Sequence, residues 1–191
     1  MKVFLFHCWG GDGRSCWSGW LQDELRVSGL EVLSPDFPET QNPELSDWLA
    51  TVRKHVPKFE ARAGWVFAGH SLGCPTILRL LESFGSDEQA ELVILVAGFA
   101  KDLGIPQIRN FVEKDFDWEK IRSKAKRFVV INSDNDPYIQ LEEGERLAKL
   151  LNTELITEHG AGHINEGSGF TRYPRVLEII ERNRKPEAGA K

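Results

Sequence analysis

The sequence predicts an α/β protein of three layers: about six mainly parallel strands, helices on both faces and a minimal cap. Two observations predict it. Short, near-continuous apolar runs alternate with stretches of helical period, the pattern of a parallel sheet covered on both sides. One of those runs, Trp65-Val66-Phe67-Ala68, passes into a helical pattern through the pentapeptide Gly69-His70-Ser71-Leu72-Gly73. In such sheets ligands sit at the carboxyl ends of the strands, so the loops that follow them are where chemistry is sought.

The elements follow in order. Val3-Phe4-Leu5-Phe6 reads as a first, buried strand and runs into the loop His7-Cys8-Trp9-Gly10-Gly11-Asp12-Gly13. Trp17, Trp20, Leu21 and Leu25 recur at helical spacing, and Glu31-Val32-Leu33 is a short second strand. Three prolines make 35–43 a loop. Leu45, Trp48, Leu49, Val52 and Val56 trace a helix face that stops before Pro57. The third strand leads through the pentapeptide to a helix bearing Ile77, Leu78, Leu80, Leu81 and Phe84. Leu92 to Ala97 is the fourth strand, and 99–118, without a clean period, is expected to be the cap. Phe128 to Ile131 is the fifth strand, followed by a helix with Leu141, Leu147 and Leu151. Glu154-Leu155-Ile156 is the sixth strand, and Val176 to Ile180 mark the last helix. Residues 1–184 are expected to form one domain, and the charged tail 185–191 to fray.

Composition excludes several classes. The chain has 191 residues, 41% hydrophobic and 28% charged, which suits a soluble globular domain. Its net charge of −5 argues against nucleic acid as partner. The basic stretch Lys120 to Arg127 is interleaved with Ile121 and Ala125 and reads as a solvated helix face. No stretch is long enough to span a membrane, and the apolar start is too short for a signal peptide. Cys8, Cys16 and Cys74 show no metal-ligand spacing and cannot all pair, which favours a reducing, cytoplasmic setting.

The pentapeptide carries the chemistry. A G-x-S-x-G turn between strand and helix is a nucleophile elbow, in which the two glycines give strand and helix room to approach. It presents the Ser71 hydroxyl and leaves the Leu72 N–H free for a developing oxyanion. A serine needs a base, and the base needs an orienting carboxylate, in the chain order Ser, acid, His for this elbow. The loop after the fifth strand offers Asp134 and Asp136; the loop after the sixth offers His159 and His163. Pro137 stiffens the backbone behind Asp136, so Asp136 is preferred, with Asp134 expected to cap its own turn. His163, behind Gly160-Ala161-Gly162, is preferred to His159. The second oxyanion donor is expected from the first loop, at the Trp9 N–H. His7 is expected to shape that loop, His70 to pack, and Cys74 to be a buried structural thiol. Trp17, Trp20 and Trp48 read as core, one of them a candidate wall of an acyl pocket.

These motifs, together with Ser133-Asp134-Asn135-Asp136-Pro137, Phe116 to Ile121 and Gly169-Phe170, resemble the small α/β-hydrolases related to retinoblastoma-binding protein 9 and their bacterial counterparts. The resemblance extends along nearly the whole chain and implies a compact hydrolase with a short cap and a Ser–Asp–His triad, which by motif position falls on Ser71, Asp136 and His163. One departure is Cys8, where bacterial members often carry glycine; a side chain there narrows the oxyanion loop. The L-x-C-x-E pentapeptide used by retinoblastoma-binding partners is absent.

The expected function is therefore a serine hydrolase. It would cleave an ester, thioester or amide of a small acyl substrate through an acyl-enzyme, most plainly an ester, with no metal and no cofactor. Two alternatives stand beside it: an interaction module that keeps the fold without turnover, and an acyltransferase. Oligomeric state is left open.

Overall fold

A computed structural model describes residues 1–184, so the tail 185–191 lies outside the described residues. Six strands, Lys2–Phe6 (β1), Glu31–Leu33 (β2), Trp65–His70 (β3), Ala90–Val96 (β4), Phe128–Ser133 (β5) and Leu155–Glu158 (β6), form one sheet in the order β2-β1-β3-β4-β5-β6. Every pairing is parallel. The helices are Ser18–Val27 (α1), Leu45–His55 (α2), Gly73–Glu82 (α3), Trp118–Ser123 (α4), Leu141–Leu151 (α5) and Pro174–Arg184 (α6).

Alternation along the strands sorts the core into two layers. Phe4, Phe6 and Phe67 point to the side of α2, α3, α4 and α5, where they meet Trp48, Ile77, Ile121 and Leu147. Val3, Leu5, Val66 and Ala68 point to the side of α1 and α6, against Trp17, Leu21, Val176 and Ile180. Each fully buried large apolar side chain contributes about 1.5–3 kcal/mol. Both faces are therefore strongly held, and the sheet is a rigid base for its loops.

The chain leaves β1 toward β2 with α1 on one face, then returns over the other face through α2 to β3. β1 and β3 are neighbours, so the loops leaving their carboxyl ends diverge and open a crevice there. Ser71 follows β3, and Trp9 follows β1.

Three boundaries differ from the sequence reading. Ala97 leaves the fourth strand because its φ is +48°, and β6 runs on to Glu158. The basic stretch is not one helix: α4 is capped by Asp117, whose Oδ1 accepts the Lys120 N–H at 2.9 Å, and ends at Ser123. Residues 99–118 form the cap, with a 3₁₀ turn at Pro106–Phe111 that buries Ile108 and Phe111.

Candidate active site

The elbow is tight because two backbones touch. A Cβ at residue 73 would lie 2.2 Å from the Phe6 carbonyl oxygen, and one at residue 69 would lie 2.9 Å from the Gly73 backbone. Only glycine fits either position. Ser71 is held at φ +54°, a conformation of order 1–3 kcal/mol above the ordinary wells for a residue with a side chain. Its surroundings over-determine it: the Ser71 N–H donates to the Val96 carbonyl at 2.9 Å, and the Cys74 N–H returns to the Ser71 carbonyl at 2.9 Å. Cys74, next in the helix, is fully buried, and burial pushes its thiol well above the ordinary range, as suits a structural side chain.

Two acid–histidine pairs lie side by side beyond β5 and β6. The Asp136 Oδ2 accepts the His163 Nδ1–H at 2.7 Å, with the Asp136 side chain fully buried. The other carboxylate oxygen accepts the Tyr138 N–H at 2.8 Å and the Ile139 N–H at 3.1 Å, so Asp136 is held at both ends. The second pair is Asp134 and His159, 2.6 Å apart, with the imidazole side chain 84% exposed. Asp134 does not cap its own turn, as the sequence reading expected. Its Oδ1 accepts the Gly160 N–H at 2.8 Å, which with His159 holds the carboxyl below its usual range. Asn135 ties the two loops together by accepting the Gly162 N–H at 2.7 Å.

The first loop is set by His7. Its Nδ1–H donates to the Cys8 carbonyl at 2.8 Å, and its Nε2 accepts the Phe37 N–H at 3.0 Å. The bond from Phe37 needs a bare Nε2 and so the neutral ring, and burial lowers the His7 pKa accordingly. The Trp9 indole N–H reaches the Gln41 carbonyl at 3.1 Å, pinning the loop from outside. Among the described residues the backbone N–H groups of Trp9 and Leu72 donate no hydrogen bond.

Ser71, Leu72, Trp9 and His163 line one cavity of about 290 Å³. Asp136 stands behind His163. No hydrogen bond joins the Ser71 hydroxyl to His163 among the described residues; in ligand-free sites this contact is commonly long and tightens around substrate. The far wall is apolar: Phe99, Leu103, Ile105 and Ile108 from the cap, and Ile139 behind Asp136. Trp17 and Trp48 are fully buried, and none of Trp17, Trp20 and Trp48 reaches the cavity, contrary to the expectation that one would line it; Trp9 does. A larger depression at the amino ends of β5 and β6, around Arg122, Arg127 and Thr153, is lined by no serine, cysteine or histidine.

Two residues gain roles that spacing hid. Arg79 of α3 donates to the carbonyls of Phe111, at 3.0 Å, Lys114 and Asp115, and its guanidinium sits 3.6 Å from the Phe116 ring centre. It fastens the cap to the elbow helix. His70 does more than pack: its Nε2–H donates to the His163 carbonyl at 2.9 Å, linking the elbow to the histidine loop.

Comparison with known proteins adds a family. Residues 3–182 match the protein family described as Serine hydrolase. YdeN of Bacillus subtilis (strain 168) is 32% identical over 180 residues, covering 94% of each chain. Serine hydrolase RBBP9 of Rattus norvegicus is 24% identical over 176 residues, 90% of this chain and 89% of its own. The crystal structure of the B. subtilis ydeN gene product superposes with a TM-score of 0.87 at 31% identity, covering 96% of this chain and 98% of that one. The fold is that of the α/β-hydrolases.

Proposed function

Because the chain belongs to the serine hydrolase family, we propose that it cleaves a small acyl ester through a triad of Ser71, His163 and Asp136. The observation that carries this is the buried Asp136–His163 bond of 2.7 Å, with His163 and Ser71 on the wall of one cavity. His163 Nε2 takes the Ser71 proton as Oγ attacks the carbonyl carbon. Asp136, ionised, holds the Nδ1–H and stabilises the imidazolium that forms. The N–H groups of Leu72 and Trp9 receive the oxyanion. Collapse expels the alcohol, which takes the proton from His163. Water, deprotonated by the same imidazole, then releases the acid and restores Ser71.

The apolar cap wall favours an acyl chain without charge, and the cavity size favours a small substrate. Esters are preferred to amides because the ester carbonyl has less resonance to lose on attack and an alkoxide leaves more readily than an amide anion. Free thiols at Cys8, Cys16 and Cys74 fit a reducing, cytoplasmic setting. No described helix is long and apolar enough to cross a membrane.

The test is hydrolysis of nitrophenyl esters of increasing acyl length by wild type and Ser71→Ala. The proposal expects turnover that falls at long chains in wild type and none above background in the variant. Equal rates in both would refute it.

A further inference from the structure

His70 is far along the chain from Cys8 and Cys16, which share the segment between β1 and α1. The fold places one donor atom from each within 4.8 Å of the others. Cys8 follows β1 and His70 ends β3, and these strands are neighbours; Cys16 comes across from the turn before α1. His70 is 2% exposed. Its Nε2–H is committed to the His163 carbonyl, so the lone pair of the neutral ring is on Nδ1. That nitrogen is buried and has no hydrogen-bond partner among the described residues. A buried acceptor left without a partner is disfavoured, and beside two thiols this one is placed to bind a metal ion.

We propose that Cys8, Cys16 and His70 form a binding site for a soft divalent metal ion of the Zn²⁺ class, at the edge of the serine cavity. Two thiolates and a neutral imidazole are a favoured donor set for such ions. Tetrahedral zinc with these donors needs them about 3.5–3.8 Å apart, within reach by a contraction of about 1 Å. The bond from His70 Nε2 to a carbonyl is the outer contact that metal-bound histidines use to fix their tautomer. Cys8 and His70 both line the cavity, which supplies an entry path and leaves a fourth position open to water. Binding forms two metal–sulfur bonds and one metal–nitrogen bond, and releases the two thiol protons to solvent.

The site touches both halves of the proposed machinery. Cys8 precedes Trp9, and His70 precedes Ser71 and holds the His163 loop. Drawing Cys8 toward the metal shifts the Trp9 N–H, so metal is expected to slow hydrolysis. This regulatory half rests on the proposed triad; the binding half does not.

The full chain, metal-free and under a phosphine reductant, is titrated with Cd²⁺ while thiolate-to-metal absorption is followed. The site predicts a band saturating at one equivalent and reversed by chelator. In Cys16→Ser and in Cys8→Ser, with folding checked by circular dichroism, loss of a direct ligand should weaken binding beyond the roughly 10–100-fold typical of an outer contact. No band in wild type with its thiols counted as free, or an undiminished band in Cys16→Ser, overturns the site. In parallel, Zn²⁺ inhibition is expressed relative to each protein's own metal-free rate. Wild type should be inhibited by far less metal than Cys16→Ser; equal sensitivity overturns the link to hydrolysis. A chain that hydrolyses nothing still yields the Cd²⁺ result, so failure of the triad and failure of the metal site are read separately.

Discussion

Asp136 and His163 share a buried hydrogen bond of 2.7 Å, while two residues upstream Asp134 shares a bond of 2.6 Å with the exposed His159. The two pairs are alike in chemistry and differ in place: only His163 faces the cavity that holds Ser71. Asp136→Asn keeps the shape but hydrogen-bonds the wrong tautomer of the imidazole. It should lower kcat by about 10³–10⁴, and Asp134→Asn should leave kcat unchanged. Steady-state rates of the two variants check this; a comparable fall in both would show that the acid was assigned wrongly.

The elbow glycines should be intolerant of a single methyl group. In Gly73→Ala the new carbon meets the Phe6 carbonyl, a backbone atom that cannot rotate away. The loss of stability should exceed about 4 kcal/mol, in the exceptional range for one substitution. Urea unfolding measures it. Gly29→Ala, with nothing within 4 Å of its added carbon but a φ of +78°, isolates the backbone strain and should lose far less.

His7 should give the fold an acid sensitivity. Burial depresses its folded pKa, so below the ordinary value of about 6.5 the unfolded chain binds a proton that the folded chain refuses. Its contribution is complete above that value and is lost as pH falls toward the depressed one. The slope is at most about 1.4 kcal/mol per pH unit. His7→Gln removes the titration, so the difference in urea midpoints between about pH 7.5 and pH 5.5 should shrink relative to wild type. An unchanged difference would mean that the ring is not held neutral.

Arg79 should act on substrate through the cap. Arg79→Met keeps much of the stem but removes three hydrogen bonds to cap carbonyls and the contact over Phe116. The cap wall of Leu103, Ile105 and Ile108 should loosen. KM for the preferred ester should rise with little change in kcat, and selectivity for chain length should flatten. A fall in kcat at constant KM would instead place the effect on the elbow.

Much of the fold was legible because its signals are local. Val3 to Phe6 and Leu92 to Val96 are apolar without interruption, as buried parallel strands require, and the steric demand at Gly69 and Gly73 is written in five consecutive residues. The pairing of Asp136 with His163 was equally readable. What was not readable depends on which strands become neighbours. His70 meets Cys8 and Cys16 only because β1 lies beside β3, and no spacing rule links positions as far apart in the chain as Cys8 and His70. Asp134 differs from expectation because an aspartate in a turn has nearby N–H groups to cap, whereas the donors it satisfies, the Gly160 N–H and the His159 ring, belong to the next loop. Nothing in the sequence singles out Arg79, because the carbonyls it binds lie in a segment with no period.

The most direct test of the central claim is covalent labelling with a fluorophosphonate, followed by mass spectrometry of the modified peptide. The account predicts one adduct, on Ser71, in the wild type, none in Ser71→Ala, and strongly slowed labelling in His163→Ala. Labelling of Ser71→Ala at the wild-type rate, or a wild type that resists the reagent while folded, would contradict it.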